Sequence, residues 1–259
     1  MKSRFYFNLI LTIVLLSFVT AFSQTLTLDQ IKQKATERIN HRHQILQDYS
    51  CDLITERSSE TPRGKMNSIF KFKVYSKGVD KFKAEFIEGE RNGQKISQKD
   101  FQSGPGQRGR GGRGSGSRMS MFRPENEDRF DPTDFMSDWK LLGEEKLDGV
   151  AAYKVMVAIS DKKHQLKEAL IWLDASTFDL VKMEGKYRRG ERIDSGSFTQ
   201  QFAKTGAEGL WMPAEKKSNL LMVFQSPRGE MEIETQSVSK YENYQFNIGV
   251  SDDFFLKDK

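Results

Sequence analysis

The feature that most constrains the fold is a series of short segments in which apolar and polar residues alternate. In residues 70–75 phenylalanine and valine alternate with lysine and tyrosine, and in residues 81–86 phenylalanine and alanine alternate with lysine and glutamate. Lys77-Gly78 supplies a turn signal between the two segments. Because successive side chains of a strand point to opposite faces, both segments predict strands with one apolar and one charged face.

The same alternation returns in the second half of the chain. Asp148-Gly149 predicts a tight hairpin turn between residues 141–147 and 152–159. Further strands are predicted at 51–57, 166–173, 180–187, 197–202, 217–225 and 230–244. Since no helical pattern separates these strands, they predict a meandering antiparallel sheet.

One amphipathic helix precedes the strands. Thr27 and Gln30 form a capping-box pattern, and apolar residues then recur at helical spacing as far as Ile39. A sheet of eight or more strands curls, because twist accumulates from strand to strand. The predicted fold is therefore mostly β (α+β), a curved antiparallel sheet that forms a half-open barrel with the helix packed on its concave side.

The start of the chain has the order of a secretory signal peptide. Lys2 and Arg4 are followed by an apolar run over 5–19 and then by Ala21-Phe22-Ser23. The alternative is a membrane anchor, but the run is near the lower length limit for a spanning helix and no positive cluster follows it. We therefore predict a cleaved signal peptide over 1–23, an exported protein, and a single domain over 24–259.

A segment rich in glycine and arginine interrupts the domain at about 103–130. It has no apolar residue to bury between 103 and 118, which predicts a disordered loop. Arg108, Arg110 and Arg113 are candidates to contact a polyanion, either lipid phosphates at a membrane surface or an acidic partner. The alternative is a flexible insertion that contacts nothing. Such segments bind RNA in the cytoplasm, but export removes that context, so no nucleic-acid partner is expected.

No pattern of catalytic or metal-binding residues is visible. His41 and His43 are two residues apart on a helix and so point to different faces. Gly114-Ser115-Gly116 lies in the predicted loop, where no oxyanion hole is preorganised. Cys51 is the only cysteine, which excludes an internal disulfide and predicts a buried thiol. We predict a protein that is not an enzyme and has no metal or cofactor.

Two turn motifs and a strand opening carry a family resemblance. The segment 143–155 contains a DG-x-x-x-Y hairpin, and 170–184 contains W-L-D-x-x-T at a turn into the next strand. Together with Leu210-Trp211-Met212-Pro213, they resemble the outer-membrane lipoprotein-sorting family (LolA/LolB-like periplasmic carriers). The signal peptide and the first helix fit the same pattern, whereas the Gly/Arg-rich insertion has no counterpart that we can name in the carriers.

The resemblance implies a periplasmic protein whose half-open barrel shields acyl chains of lipoproteins or lipids without catalysis. Shielding is worth about 0.8 kcal/mol per methylene, so a carrier needs a broad apolar lining. The candidate lining residues are Phe70, Phe72, Val74, Phe82, Phe86, Tyr153, Val155 and Val157. The alternative is that these side chains fill an ordinary core, and the protein is then an envelope interaction or sensor module that carries no lipid. A hydrolase without a recognisable motif is a third reading.

Overall fold

The computed structural model describes residues 26–62, 64–78, 81–103, 138–160, 165–190, 193–206, 209–226 and 229–256. The helices are α1 (Leu28–Ile45) and α2 (Gln98–Ser103), and a 3-10 turn spans Asp252–Phe255. The strands are β1 (Asp48–Thr61), β2 (Gly64–Lys77), β3 (Lys81–Arg91), β4 (Gln94–Ile96), β5 (Trp139–Leu147), β6 (Val150–Ala158), β7 (Leu166–Asp174), β8 (Leu180–Tyr187), β9 (Ile193–Thr205), β10 (Leu210–Ser226) and β11 (Gly229–Phe246). Within these described residues, neither helix is long and apolar enough to cross a membrane.

All eleven strands form one sheet in the order β4-β3-β2-β1-β11-β10-β9-β8-β7-β6-β5. Every neighbouring pair is antiparallel, and β1 pairs with β11, which joins the first strand to the last. The sheet is curved and does not close, so β4 and β5 remain as its edges. The predicted half-open antiparallel barrel is therefore confirmed.

Several strands are longer than the sequence predicts. The alternation suggests that the first strand covers 51–57, whereas β1 runs over 14 residues from Asp48 to Thr61. β10 runs over 17 residues from Leu210, so the strand opening predicted at Leu210-Trp211-Met212-Pro213 and the strand predicted at 217–225 are one strand. The added residues of β1 include Ser58, Ser59 and Glu60, which are polar on both faces, so hydrophobic alternation does not detect them.

Helix α1 lies on the concave face of the strands from the second half of the chain. The side chain of Thr27 accepts a hydrogen bond from the backbone of Gln30, and the Gln30 side chain accepts one from the backbone of Thr27, so the predicted capping box is present. Ile31 and Ala35 are fully buried against apolar side chains of this half of the sheet. The predicted packing of the helix on the concave side is confirmed.

The W-L-D-x-x-T motif builds a turn that anchors α1. The Asp174 carboxylate accepts hydrogen bonds from the backbone and hydroxyl of Ser176, at 2.8 and 2.6 Å, and from the backbone of Thr177 at 3.3 Å. Burial raises the pKa of Asp174, but these hydrogen bonds outweigh it and leave the pKa below its usual range. The turn places the buried Asp179 2.8 Å from the Arg38 guanidinium on α1.

The C-terminal segment is held against β1–β3 by charged groups. The carboxylate of Asp48 accepts hydrogen bonds from the backbone N–H groups of residues 248, 249 and 250. Lys77 and Lys81 both form ion pairs with Asp252, at 2.8 and 2.7 Å. Two lysines around one carboxylate hold the pKa of Asp252 at about 2.

Candidate functional site

The concave face of the sheet divides into three zones. A helix-side cluster fills the space between α1 and the sheet. It consists of Ile31 and Ala35 of α1 together with Trp139, Tyr153, Val155, Val157, Ile159, Leu166, Ala169, Ile171, Leu173, Met183 and Phe198. A phenylalanine cluster lies on β1–β3 and includes Leu53, Phe70, Phe72, Phe82, Phe86 and Phe101. A polar strip lies between the two clusters and consists of Thr55, Arg57, Ser59, Ser68, Gln200, Lys216, Ser218, Thr235, Ser237 and Ser239.

Three of the predicted lining residues belong to the helix-side cluster. Val155 and Val157 are fully buried, and Tyr153 is nearly so. Tyr153 stacks on Phe178, with ring centroids 6.0 Å apart. Burial of Tyr153 raises the pKa of its hydroxyl. The side chains of this cluster pack against one another and against α1.

The other five predicted lining residues lie together in the phenylalanine cluster. Phe70, Phe72 and Val74 are buried, whereas Phe82 and Phe86 are only partly buried. Helix α2 places Phe101 over these rings, where it stacks on Phe86 at a centroid distance of 4.7 Å. The eight predicted residues thus form two groups rather than one surface, and their role as a ligand lining stays a prediction. Arg108, Arg110 and Arg113 lie outside the described residues, as does the predicted signal peptide.

The polar strip is built from hydroxyl groups paired across neighbouring strands. Their oxygens are 3.0 Å apart in Thr55–Ser239, 3.1 Å in Ser59–Thr235 and 2.7 Å in Ser218–Ser237. Such pairs satisfy each other without a charged partner. They make the centre of the concave face polar, although it is continuous with apolar clusters on both sides.

The strands of this face carry the cationic side chains of Arg57, Arg91 and Lys216. Arg57 faces Ser68 of β2 and Ser237 of β11, and Arg91 faces Ser68 from the other side. The Nε groups of both arginines are buried. Lys216 is only 3% exposed, and its ammonium lies 5.0 Å from the ring centroid of Phe198.

A groove of about 600 Å³ opens at the polar strip. The concave-facing residues that line it are Arg57, Ser68, Phe198, Ser218 and Ser237. Phe198 fits closely because its ring covers Gly185, where any Cβ would overlap it. The groove therefore has a hydroxyl floor, a guanidinium on one wall and an aromatic ring on the other.

The residues that stand opposite Arg57 and Lys216 on the neighbouring strands carry hydroxyl or amide groups. Thr55 and Ser59 share a face with Arg57 on β1, and Gln200 and Ser239 stand opposite Lys216 on the adjacent strands. On the other face, by contrast, lysines stand beside carboxylates, as in the Lys217–Glu215 ion pair at 2.7 Å. The sheet thus places cations beside hydroxyls and amides on the concave face.

Sequence reasoning missed this strip, although a signal was present. Thr235, Ser237 and Ser239 recur at a spacing of two, which places three hydroxyls on one face of a strand. Such a face reads as solvent-exposed when the strand is taken alone. Only the pairing with β1 and β10 shows that all three side chains are buried.

The part of the chain that the structure describes contains no cluster of three His, Cys, Asp or Glu side chains placed to hold a metal ion. The two helical histidines, His41 and His43, are exposed. Cys51 is buried, as predicted. The chemistry that the described concave face offers is therefore charge and hydrogen bonding from Arg, Lys, Ser and Thr.

No protein-family model and no curated protein matches this sequence.

Several solved structures match over most of the chain. One, described as an outer membrane lipoprotein-sorting protein domain from Vibrio parahaemolyticus, is 15% identical over 86% of this chain and 94% of that chain, with a TM-score of 0.49. A LolA superfamily protein from Nitrosomonas europaea is 15% identical over 86% and 98%, with a TM-score of 0.45. A DUF1329 family protein from Desulfovibrio piger ATCC 29098 is 14% identical over 87% and 96%, with a TM-score of 0.42.

The resemblance indicated by the sequence motifs is thus found again among solved structures. At these identities and TM-scores, no ligand, partner or residue role passes from them to this chain.

Proposed function

We propose that this protein is a non-enzymatic binding or carrier protein for an acyl-bearing ligand, exported to the periplasm, and that the ligand binds in the concave groove. The observation that carries the proposal is the position of the groove of about 600 Å³ between two apolar clusters. Lipids and lipoproteins combine an apolar chain with a polar group, which matches a concave face of mixed character.

The acyl chain would lie against the apolar side of the groove. Phe198 borders the groove and belongs to the helix-side cluster. At the opposite end, Ser68 is two residues from Phe70 on the same face of β2. A chain that extends beyond the groove into the phenylalanine cluster replaces the contact of Phe101 with Phe86, and apolar burial then offsets the lost ring contact.

A second candidate is an envelope interaction module that carries no lipid. The packing beneath α1 favours it, because Val155 and Val157 are already fully buried by the protein's own side chains. On this alternative the groove receives a side chain or terminus of a partner protein. Both candidates place the ligand on the same strands, so the chemical nature of what is bound separates them.

The test is to purify the exported protein from cells and to analyse its organic extract by mass spectrometry, beside a binding titration with a fluorescent fatty acid. The blocking variant is Ser218→Phe, because Ser218 lines the floor of the groove and a phenyl ring there fills it. The matched control is Lys240→Phe, since Lys240 follows Ser239 of the strip, points to the other face, is exposed and does not line the groove.

Acyl species that co-purify with the wild type and the control, and are lost from Ser218→Phe at unchanged circular dichroism, support the carrier. An empty wild-type protein that also leaves the fluorescent fatty acid unbound contradicts it. In that case the interaction module becomes the better account, and partner capture with the same two variants follows.

A further inference from the structure

The far end of the β10–β11 hairpin has an apolar face that continues from the groove. We propose that this face is a second binding subsite and that it holds the distal part of the ligand's acyl chain. The inference rests on the proposed function, because it takes an acyl-bearing ligand as the occupant of the groove. It goes further by stating the direction in which the chain leaves the groove and the residues that bind it.

The β10–β11 hairpin extends beyond its neighbours in the sheet. β1 pairs with β11 as far as Glu60, which stands opposite Glu234. β9 pairs with β10 as far as Ile193, which stands opposite Met222. β10 and β11 continue beyond these positions and pair with each other up to their connecting turn. The end of the hairpin therefore projects from the sheet as a two-stranded arm.

One face of this arm is apolar, and we call it the arm face. It consists of Leu220, Met222 and Phe224 of β10 together with Met231 and Ile233 of β11. Met222 stands opposite Ile233, and Phe224 stands opposite Met231. Met222 is 8% exposed, and the other four side chains are partly exposed. Methionine is flexible and polarizable and so adapts to irregular apolar partners, which suits a surface that binds a flexible chain.

The arm face begins where the groove ends. Ser218 lines the groove, and Leu220 follows it on the same face of β10. The Leu220 side chain lies so close to Gly196 that a Cβ there would overlap it and would also touch Tyr187. Tyr187 in turn packs against Phe198 of the groove, with ring centroids 5.6 Å apart. An apolar path therefore runs from the aromatic wall of the groove over Leu220 onto the arm face.

The direction of the chain follows from what it must displace at each end of the groove. Toward the phenylalanine cluster, Phe101 already stacks on Phe86 at a centroid distance of 4.7 Å. Toward the arm, Phe224 and Met231 are partly exposed, so a chain laid on them covers apolar surface and leaves that ring pair intact. From Ser218 to Phe224 the strand spans about 20 Å, which is a suitable length for the chain of a long fatty acid.

The charge of the other face of the arm favours a chain from the groove over an anionic membrane as the occupant. Glu232 and Glu234 of β11 are exposed on that face. Carboxylates at this position repel anionic lipid head groups. A chain that reaches the arm from the groove lies on the opposite face and is not subject to this repulsion.

The test measures how the affinity depends on the length of the chain. Octanoic and hexadecanoic acids compete with a fluorescent fatty acid for the purified exported protein, each below its critical micelle concentration. Their head groups are identical, so a difference in affinity reports the chain alone. We expect hexadecanoic acid to bind more than about tenfold more tightly than octanoic acid, because only its distal methylenes reach the arm face.

Neighbouring residues of β10 provide the matched variants. Phe224→Gln makes the arm face polar, whereas Val223→Gln changes a partly exposed apolar residue on the opposite face. Met231→Gln, opposite Phe224 on β11, keeps the inference testable if Phe224→Gln does not fold. We expect both arm-face variants to lose most of the advantage of hexadecanoic acid while they bind octanoic acid as the wild type does. Val223→Gln should keep the advantage.

A fourth variant, Phe86→Gln, tests the opposite direction. If this variant loses the advantage of the longer acid and the arm-face variants keep it, the chain runs into the phenylalanine cluster and the inference is overturned. An advantage that all four variants keep also overturns the inference, but it leaves the carrier standing because both acids still bind. Absence of binding by both acids contradicts the proposed function itself, and the arm subsite falls with it.

Sedimentation velocity and vesicle flotation test the other occupants of the arm face. A wild-type protein that is monomeric and stays off vesicles, with the chain-length dependence above, supports the inference. A wild-type dimer that Phe224→Gln dissociates assigns the arm face to a second copy of the chain and overturns it. Binding to vesicles that the same variant abolishes assigns the arm face to a membrane and overturns it as well.

Discussion

Single residues fix the shape of the groove, and Gly185 illustrates how. It lies on β8 opposite Phe198 of β9, and the phenyl ring covers its Cα so closely that a Cβ there would overlap the ring. Glycine in a strand interior often marks such a close approach. Gly185 therefore sets the orientation of the aromatic wall of the groove, although nothing in the sequence around it indicates this role.

The expected effect of Gly185→Ala is a loss of about 1–3 kcal/mol in the free energy of unfolding, because the ring must move within a packed cluster. Urea unfolding followed by circular dichroism measures it. Gly190→Ala is the control, since a Cβ at Gly190 meets open space, and we expect its stability to stay near that of the wild type. A Gly185→Ala protein as stable as the control contradicts the close packing of Phe198.

At the scale of elements, the attachment of α1 to the sheet depends on one ion pair in addition to apolar burial. Arg38 on α1 contacts Asp179, whose side chain is 5% exposed, while the arginine side chain is 25% exposed. Removing one partner of such a pair leaves a buried charge without compensation, which costs more than the pair itself contributes.

We therefore expect Arg38→Ala to lower the free energy of unfolding by about 1–3 kcal/mol, although alanine is the better helix former. The double variant Arg38→Ala/Asp179→Asn should recover part of this loss, because the unpaired charge is gone. Asn40→Ala, at an exposed position of the same helix, serves as the control. If the double variant loses the sum of the free energies that Arg38→Ala and Asp179→Asn lose separately, Arg38 and Asp179 are not a coupled pair.

The C-terminal segment gives a prediction that depends on pH. Lys77 and Lys81 lower the pKa of Asp252 from 3.8 to about 2 in the folded protein. A lowered pKa in the folded state means that the carboxylate stabilises this state fully above the ordinary pKa, and that the contribution is lost as the pH falls from about 4 to about 2.

Wild type and Asp252→Asn should therefore differ in unfolding free energy at pH 5, and most of the difference should be lost by pH 2. Asp253→Asn controls for the loss of a carboxylate in the same turn. Urea unfolding over this pH range measures both differences. A wild-type advantage as large at pH 2 as at pH 5 means that the ion pairs with Lys77 and Lys81 are not its cause.

Some of these elements follow from local sequence patterns, and others do not. Alternation and turn signals predicted the meander, the hairpin at Asp148-Gly149 and the capping box at Thr27, because each is a local pattern. The far end of β1 was missed, since Ser58, Ser59 and Glu60 are polar on both faces. The polar strip could not be predicted because its burial depends on which strands are neighbours, and β1 pairs with β11 from the far end of the chain.

At the scale of the whole molecule, the proposed function makes the curved sheet a holder for one amphiphilic ligand. Two apolar clusters pack the ends of the concave face, and the polar strip with its groove lies between them. The curvature brings β2 and β9 to opposite walls of the same groove, although three strands, β1, β11 and β10, lie between them in the sheet. Recognition then depends on strands that are distant in sequence.

The most direct measurement is photoaffinity labelling of the purified exported protein with a diazirine-bearing fatty acid, followed by peptide mapping at residue resolution. Neighbouring residues of one strand face opposite sides, so the labelled residue reports the occupied face. Labels on Phe198 and Ser218, lost when the unlabelled fatty acid competes, are the expected result. Labels on Lys186 and Lys240 instead, which are exposed on the other face and do not line the groove, or no competed label at all, contradict a ligand in the concave groove.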